Sequence, residues 1–193
     1  MEELTLKIFR ESIKAKEKFL IKANVARLVK CAELIAAAFT SGGKLIVAGN
    51  GGSAADAQHI AAEFVNRFLI ERPPLPALAL TTDSSILTSI GNDYDFSLVF
   101  AKQVKALGKE GDVLLAISTS GNSQNVIKAM DEAKKIGITT IALTGKDGGK
   151  MAKKADIVLN VPTDSTPRVQ ETHLVILHTL CELVDTILFN KKN

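Results

Sequence analysis

His59 and Glu63 stand four residues apart in the stretch Asp56-Ala-Gln-His-Ile-Ala-Ala-Glu-Phe-Val65. On a helix that spacing brings an imidazole and a carboxylate to one face. Together they could pass a proton or offer nitrogen and oxygen donors to a metal, although the same spacing also fits an ordinary polar contact. Far along the chain, Gln170, Glu171, His173 and His178 are set among apolar residues. Gln170 and His178 lie about two helical turns apart and within roughly a quarter-turn around the axis, so both can face one cavity. A His, a carboxylate, a Gln and a second His form a mixed nitrogen and oxygen set suited to zinc or a similar divalent ion. Glutamine is an uncommon ligand, and spacing leaves the metal open. It also leaves open which of His173 and His178 is a core residue.

Two loops could hold a ligand. Gly49-Asn50-Gly51-Gly52-Ser53 follows a strand-like run and precedes a helical one. Glycines let backbone approach a ligand, and a helix start offers unpaired N–H groups. Gly49, Gly51 and Ala54 formally satisfy the dinucleotide pattern G-x-G-x-x-A. That pattern also wants an acidic residue about 20 positions further on, and here Asp83 arrives late. The second loop, Ser118-Thr119-Ser120-Gly121-Asn122-Ser123, places four hydroxyls and a glycine in six residues at the opening of another helix. One such residue would suffice as a cap, so the excess reads as a cradle for a phosphate monoester. No G-x-x-x-x-G-K-[ST] run is present to suggest a nucleotide hydrolase.

Positioning these loops requires a scaffold of alternating strands and helices. Strand-length apolar runs fall at 44–48, 77–81, 112–117, 138–143 and 156–161, separated by amphipathic stretches at 53–68, 95–107, 123–136 and 167–189. This alternation predicts an α/β fold, a three-layer αβα sandwich around a five-stranded parallel sheet. About forty residues of helical pattern precede the first strand and stop at Ser41-Gly42-Gly43. The part from Asn24 to Phe39 is apolar around much of its circumference, which suits packing against another subunit or against its own sheet. The expected organisation is one domain over 1–193, with residues 1–43 as an N-terminal helical segment and 44–193 as the α/β core. At 193 residues and 46% hydrophobic the chain fits one sizeable core. A net charge of +3, from 24 basic and 21 acidic residues scattered along the chain, gives no reason to expect nucleic acid. No uninterrupted apolar stretch of membrane-spanning length and no apolar signal core is evident, so a cytoplasmic protein without a membrane partner is expected. Cys31 and Cys181 lie in helix-like apolar patterns and read as reduced buried thiols.

The segments Gly49 to His59, Ala62-Glu63, Gly91-Asn92-Asp93, Ser118 to Ser123, Thr144 to Gly149 and Arg168 to His173, with His178, resemble the phosphoheptose isomerase family of the sugar-isomerase (SIS) superfamily across essentially the whole chain. The resemblance implies a flavodoxin-like or Rossmann-like core and the conversion of D-sedoheptulose 7-phosphate to D-glycero-D-manno-heptose 7-phosphate through an enediol. That step opens the route to activated heptose for lipopolysaccharide or capsule. It further implies a homotetramer with active sites at subunit interfaces. Asn50, Gly51, Gly52, Ser53, Asn92, Asp93 and Gln170 would line the substrate, as would Glu63. Ser118, Thr119, Ser120 and Ser123 would hold the phosphate. Zinc ligands would fall on His59, Glu63, Gln170 and His178, and the acid/base pair on Glu63 and His178. Asn66 and Asp185 depart mildly from the family pattern, at positions expected to lie outside the chemistry. The alternatives are a non-catalytic SIS regulatory protein of the kind that binds the bacterial replication initiator, and an oxidoreductase using nicotinamide, which would leave the hydroxyl loop unexplained.

Overall fold

The computed structural model describes residues 1–189. Five parallel strands, β1 (Leu45–Ala48), β2 (Ala77–Ala79), β3 (Val113–Ser118), β4 (Thr139–Gly145) and β5 (Ile157–Val161), form one sheet in the order β2-β1-β3-β4-β5. The helices are α1 (Glu2–Phe19), α2 (Lys22–Thr40), α3 (Gly52–Val65), α4 (Ser84–Asp93), α5 (Val99–Leu107), α6 (Gln124–Lys135), the single turn α7 (Gly149–Ala152) and α8 (Thr166–Phe189), with a short 3₁₀ turn at Phe96–Leu98 leading into α5. All five predicted strands are present, with ends shifted by one or two residues.

Alternate strand side chains enter two separate cores, as a parallel sheet covered on both faces requires. Leu45 and Val47, Val113, Leu115 and Ile117, and Ile141 and Leu143 pack with α2, α3 and α8. Ile46 and Ala48, Leu114 and Ala116, and Ala142 pack with α5 and α6. Asp112, just before β3, locks the far end of the sheet. Its carboxylate accepts from the Lys44 backbone N–H at 2.9 Å, the Lys109 backbone N–H at 3.0 Å and Lys44 Nζ at 2.6 Å.

The N-terminal helical run is broken into two helices at Leu20-Ile21. The break has a local cause: the buried Asn24 side chain donates to the Phe19 carbonyl at 2.9 Å, closing the end of α1 with a bond a continuous helix would not leave available. Helix α2 lays Leu28, Cys31, Ala32 and Ile35 into the core. Val25 and Val29 remain exposed on its other side, and α1 exposes Leu4, Leu6, Phe9 and Ile13. Both cysteines are buried free thiols, and burial pushes each up to about 12.

Helix α8 is long and apolar enough to cross a membrane by composition alone, with mean hydropathy 1.5 over an 18-residue window. Its packing is that of a core helix: Ile176, Leu177, Leu180 and Val184 are buried against the sheet and α2. His173, fully buried on the same helix, donates Nε2–H to the Thr144 carbonyl at 3.0 Å and so fastens α8 to the end of β4. It is the core histidine of the pair. Burial pushes its pKa down to about 4, partly opposed by the Thr144 bond. The folded value lies below the unfolded one, so the neutral imidazole's contribution is complete above about pH 6.5 and is lost as pH falls toward 4. We expect the denaturant midpoint to drop between pH 6.5 and 5, with a total His173 contribution on the order of 3 kcal/mol. In His173→Gln, less stable at pH 7, this limb of the profile should flatten; an unchanged slope would remove His173 as its source.

Candidate active site

Crossovers leave β1 toward β2 and β3 toward β4, in opposite directions across the sheet, and the loops that follow β1 and β3 therefore flank the gap between them. Both chemically suggestive loops of the sequence fall at this gap. The first turns through Gly51, at φ 54°, into α3. Asn50 exchanges two side-chain amide bonds with Asn125 of α6, at 2.9 and 2.8 Å, which ties the loop to the helix on the opposite face. Gly52 lies directly under the Gln170 amide, where any Cβ would overlap it. Gln170 of α8 is thus brought over the loop, as the sequence reading requires. Ser53 is buried in the first turn of α3.

The second loop gathers its hydroxyls around one point. Ser118 Oγ lies 2.9 Å from Ser123 Oγ and 3.4 Å from Ser120 Oγ. Ser123 is the residue before α6, yet its side chain makes no capping bond. Its hydroxyl is turned to the cluster, so capping does not explain the serine-rich composition. Thr119 follows Ser118 at the end of β3, half-buried. Gly121 adopts φ 63° and packs on the backbone of Gly148 and Gly149 in the loop after β4.

The chemistry-bearing side chains converge where α3 meets α8. His59 Nε2 and His178 Nε2 are 2.9 Å apart, so one donates to the other, and Glu63 Oε1 is 3.6 Å from His59 Nε2. The Phe68 ring stands 5.4 Å from that of His178 and forms an apolar wall. Asp56, one turn before His59, has a carboxyl oxygen buried without a partner, and burial pushes its pKa up, opposed in part by His59. Among the described residues no three His, Cys, Asp or Glu side chains already stand as a metal-ligand cluster. The donor types nevertheless fit a divalent ion: a second imidazole nitrogen and a carboxylate oxygen gather around His59 Nε2, at 2.9 and 3.6 Å.

Other sequence candidates fall elsewhere. Asn92 and Asp93 end α4, a helix without a buried residue, and hydrogen-bond each other at 2.9 Å on an exposed surface. Within one chain they are not joined to the α3–α8 junction by any hydrogen bond among the described residues. Asp83 caps α4 by accepting from Ile86 N–H at 2.8 Å, an ordinary helix cap in place of a ribose contact.

The sequence reading missed Arg72. Its buried guanidinium donates from Nε to Asp185 of α8 at 2.8 Å, from Nη2 to the Glu63 carbonyl at 2.9 Å and from Nη1 to the Phe64 carbonyl at 2.7 Å. Asp185 and the C-cap residue Asn66, whose carbonyl accepts from Nη1 at 3.3 Å, thus share one guanidinium with the helix end that carries Glu63. A pairing 113 residues apart has no local signal; the only hint was an acid on the apolar face of α8.

A family model described as SIS domain matches residues 8–145. The chain is 54% identical over 189 residues to a phosphoheptose isomerase of Thermodesulfovibrio yellowstonii, covering 98% of this chain and 94% of that one. Its fold is similar to the structure of a phosphoheptose isomerase from Neisseria gonorrhoeae, with a TM-score of 0.90 at 49% identity, covering 96% of this chain and 98% of that chain. It is equally similar to that from Francisella tularensis, TM-score 0.90 at 42% identity, covering 95% and 97%.

The hydroxyl cluster depends on Gly121 in a way that can be measured. Gly121→Ala puts a Cβ into the Gly148 carbonyl at a left-handed φ, and should lower stability by at least about 2 kcal/mol. Inorganic phosphate should raise the melting temperature of the wild type and not of this variant. A variant of wild-type stability that still responds to phosphate would contradict the close approach.

Proposed function

The chain belongs to the SIS domain family, in its phosphoheptose isomerase branch, and we propose that it interconverts D-sedoheptulose 7-phosphate and D-glycero-D-manno-heptose 7-phosphate through an enediol. The observation that carries this reading is the meeting of His59, Glu63 and His178 on two helices, with Gln170 over Gly52 and Asn50 bonded to the helix that follows the hydroxyl loop. One loop therefore connects the place where a phosphate can be held to the place where a proton can be moved.

Ketose to aldose isomerisation takes a proton from C1 and delivers one to C2. The Glu63 carboxylate is the base for the carbon-bound proton, and His178 exchanges protons with the substrate oxygens; each transfer contributes about 10² to 10⁴ in rate. Ser118, Thr119, Ser120 and Ser123 grip the phosphate, which fixes the reacting carbons from a distance. Asn50, Gly51, Gly52, Ser53 and Gln170 line the space between. His59, Glu63, Gln170 and His178 are the residues that would hold a zinc ion, which when bound polarises the carbonyl and stabilises enediolate charge.

The same reading extends to a cytoplasmic homotetramer, organised as one SIS domain over 1–193, in which neighbouring protomers complete each site. Supporting assembly are the exposed apolar residues of α1, the exposed Tyr94 and Phe96, and the exposed Asn92 and Asp93 at the end of α4. The product would feed activated heptose for lipopolysaccharide or capsule. A non-catalytic sugar-phosphate-binding regulator would have no use for Glu63 and His178 gathered around His59.

Glu63→Gln should lower kcat by at least about 10²-fold, while calorimetric binding of sedoheptulose 7-phosphate persists. Near-normal turnover would remove Glu63 from the base role, and absence of turnover in the wild type would return the protein to the regulatory reading.

A further inference from the structure

Helices α3 and α8 carry the reacting groups, and their contact at His59 and His178 is partly exposed. Two polar side chains meeting near solvent do not by themselves fix the relative register of two helices. The fixed point lies one to two turns away. There the Arg72 and Asp185 side chains are 1% and 6% exposed and bonded at 2.8 Å. Asp185 follows His178 by seven residues, close to two full turns, so both project from the same side of α8 toward α3.

Arg72 reaches this point from the loop after α3 and folds back onto that helix's C-terminal end. The last carbonyls of a helix have no intrahelical partner, and α3 ends without a left-handed glycine, at Asn66 with φ −88°. The guanidinium supplies the missing donors: Nη1 to Phe64 and Asn66, Nη2 to Glu63. Its charge also suits the negative end of the helix dipole. One planar group thus holds the backbone of Glu63 and the side chain of Asp185 simultaneously. Lysine, with a single ammonium, cannot span these acceptors with the same fork.

We propose that the buried Arg72–Asp185 ion pair is the positioning device of the site, setting the register of α3 on α8 so that Glu63 and His59 face His178. Arg72 and Asp185 are positioning residues, acting through the backbone of Glu63 and the axis of α8. The proposal rests on the isomerase reading for its effect on turnover, but its structural content does not. A buried ion pair is often replaceable by apolar residues without loss of stability, so stability and positioning separate experimentally.

The test uses the full-length protein. Arg72→Met/Asp185→Leu removes both charges and fills the space, and Arg72→Lys keeps the charge but not the fork. In both, kcat for sedoheptulose 7-phosphate should fall at least about tenfold, with KM within about twofold because the phosphate cradle on β3 and α6 is untouched. Asp185→Glu, which preserves the pair, should restore kcat to within about threefold. A double variant with native melting temperature and native kcat would overturn the proposal, as would native kcat in Arg72→Lys should the double variant not fold. Imidazole ¹⁵N spectra give a readout independent of turnover: the His59 and His178 signals should shift in Arg72→Lys and stay in place in Asp185→Glu. Unmoved signals in Arg72→Lys refute the positioning role even if the wild type proves inactive on the sugar, and an inactive wild type whose signals do shift refutes only the isomerase reading.

Discussion

Parallel neighbouring strands cannot be joined by tight turns, and the crossovers that join them are right-handed. In the order β2-β1-β3-β4-β5, that rule sends α3 to one face of the sheet and α6 to the other. The ends of β1 and β3 are then the one adjacent pair from which chain departs in opposite directions, the position at which such sheets bind ligands. Most of the chemically suggestive residues sit at these strand ends or are brought to them, Asn92 and Asp93 on α4 being the exceptions. The glycine loop and the hydroxyl loop follow them directly, and α8, crossing back over the sheet on the α3 side, adds Gln170 and His178 from the far end of the sequence.

A division of labour follows from how the two sides are built. On the α6 side the hydroxyl loop holds its side chains in mutual hydrogen bonds and its backbone in a glycine contact too close for any Cβ. It offers neutral donors with little freedom to rearrange, which suits a phosphate that must be gripped and then released. On the α3 and α8 side the groups are ionisable, partly open and held by helix register. Binding energy gained at the rigid end can be used to orient carbons at the other. The link between them is short: Asn50 bonds α6 through Asn125, and two residues later Gly52 touches Gln170.

The sequence carried the scaffold and most of the site because both have local signatures. Apolar runs of strand length marked all five strands, and turn-forming glycines beside hydroxyls marked the two loops. His59 with Glu63, and Gln170 with His178, were legible as shared helix faces. Tertiary bonds decided what was not legible. His173 and His178 look alike in sequence, and only the Thr144 carbonyl makes the first a core residue. The break between α1 and α2 depends on one asparagine turning back on a carbonyl. Helix α4 was not singled out, since only a few partly buried apolar residues such as Leu87 and Ile90 mark its inner side. Arg72 precedes Pro73 and Pro74 in the connection between α3 and β2, and its bond to Asp185 spans more than a hundred positions.

That last pairing bears on why the site tolerates exposed chemistry on a stable frame. A cavity must stay open for a sugar to enter, so the helices that carry its groups cannot be bonded tightly across it. The nearest place to fasten them is the closed end of the same interface, where water is excluded and a charge pair with several carbonyl acceptors holds a defined geometry. An apolar contact in that place would be as adhesive but would allow sliding, because dispersion is not directional. Directional bonds at the closed end convert adhesion into register, and register is the quantity on which the proposed proton transfer between Glu63, a substrate carbon and His178 would depend.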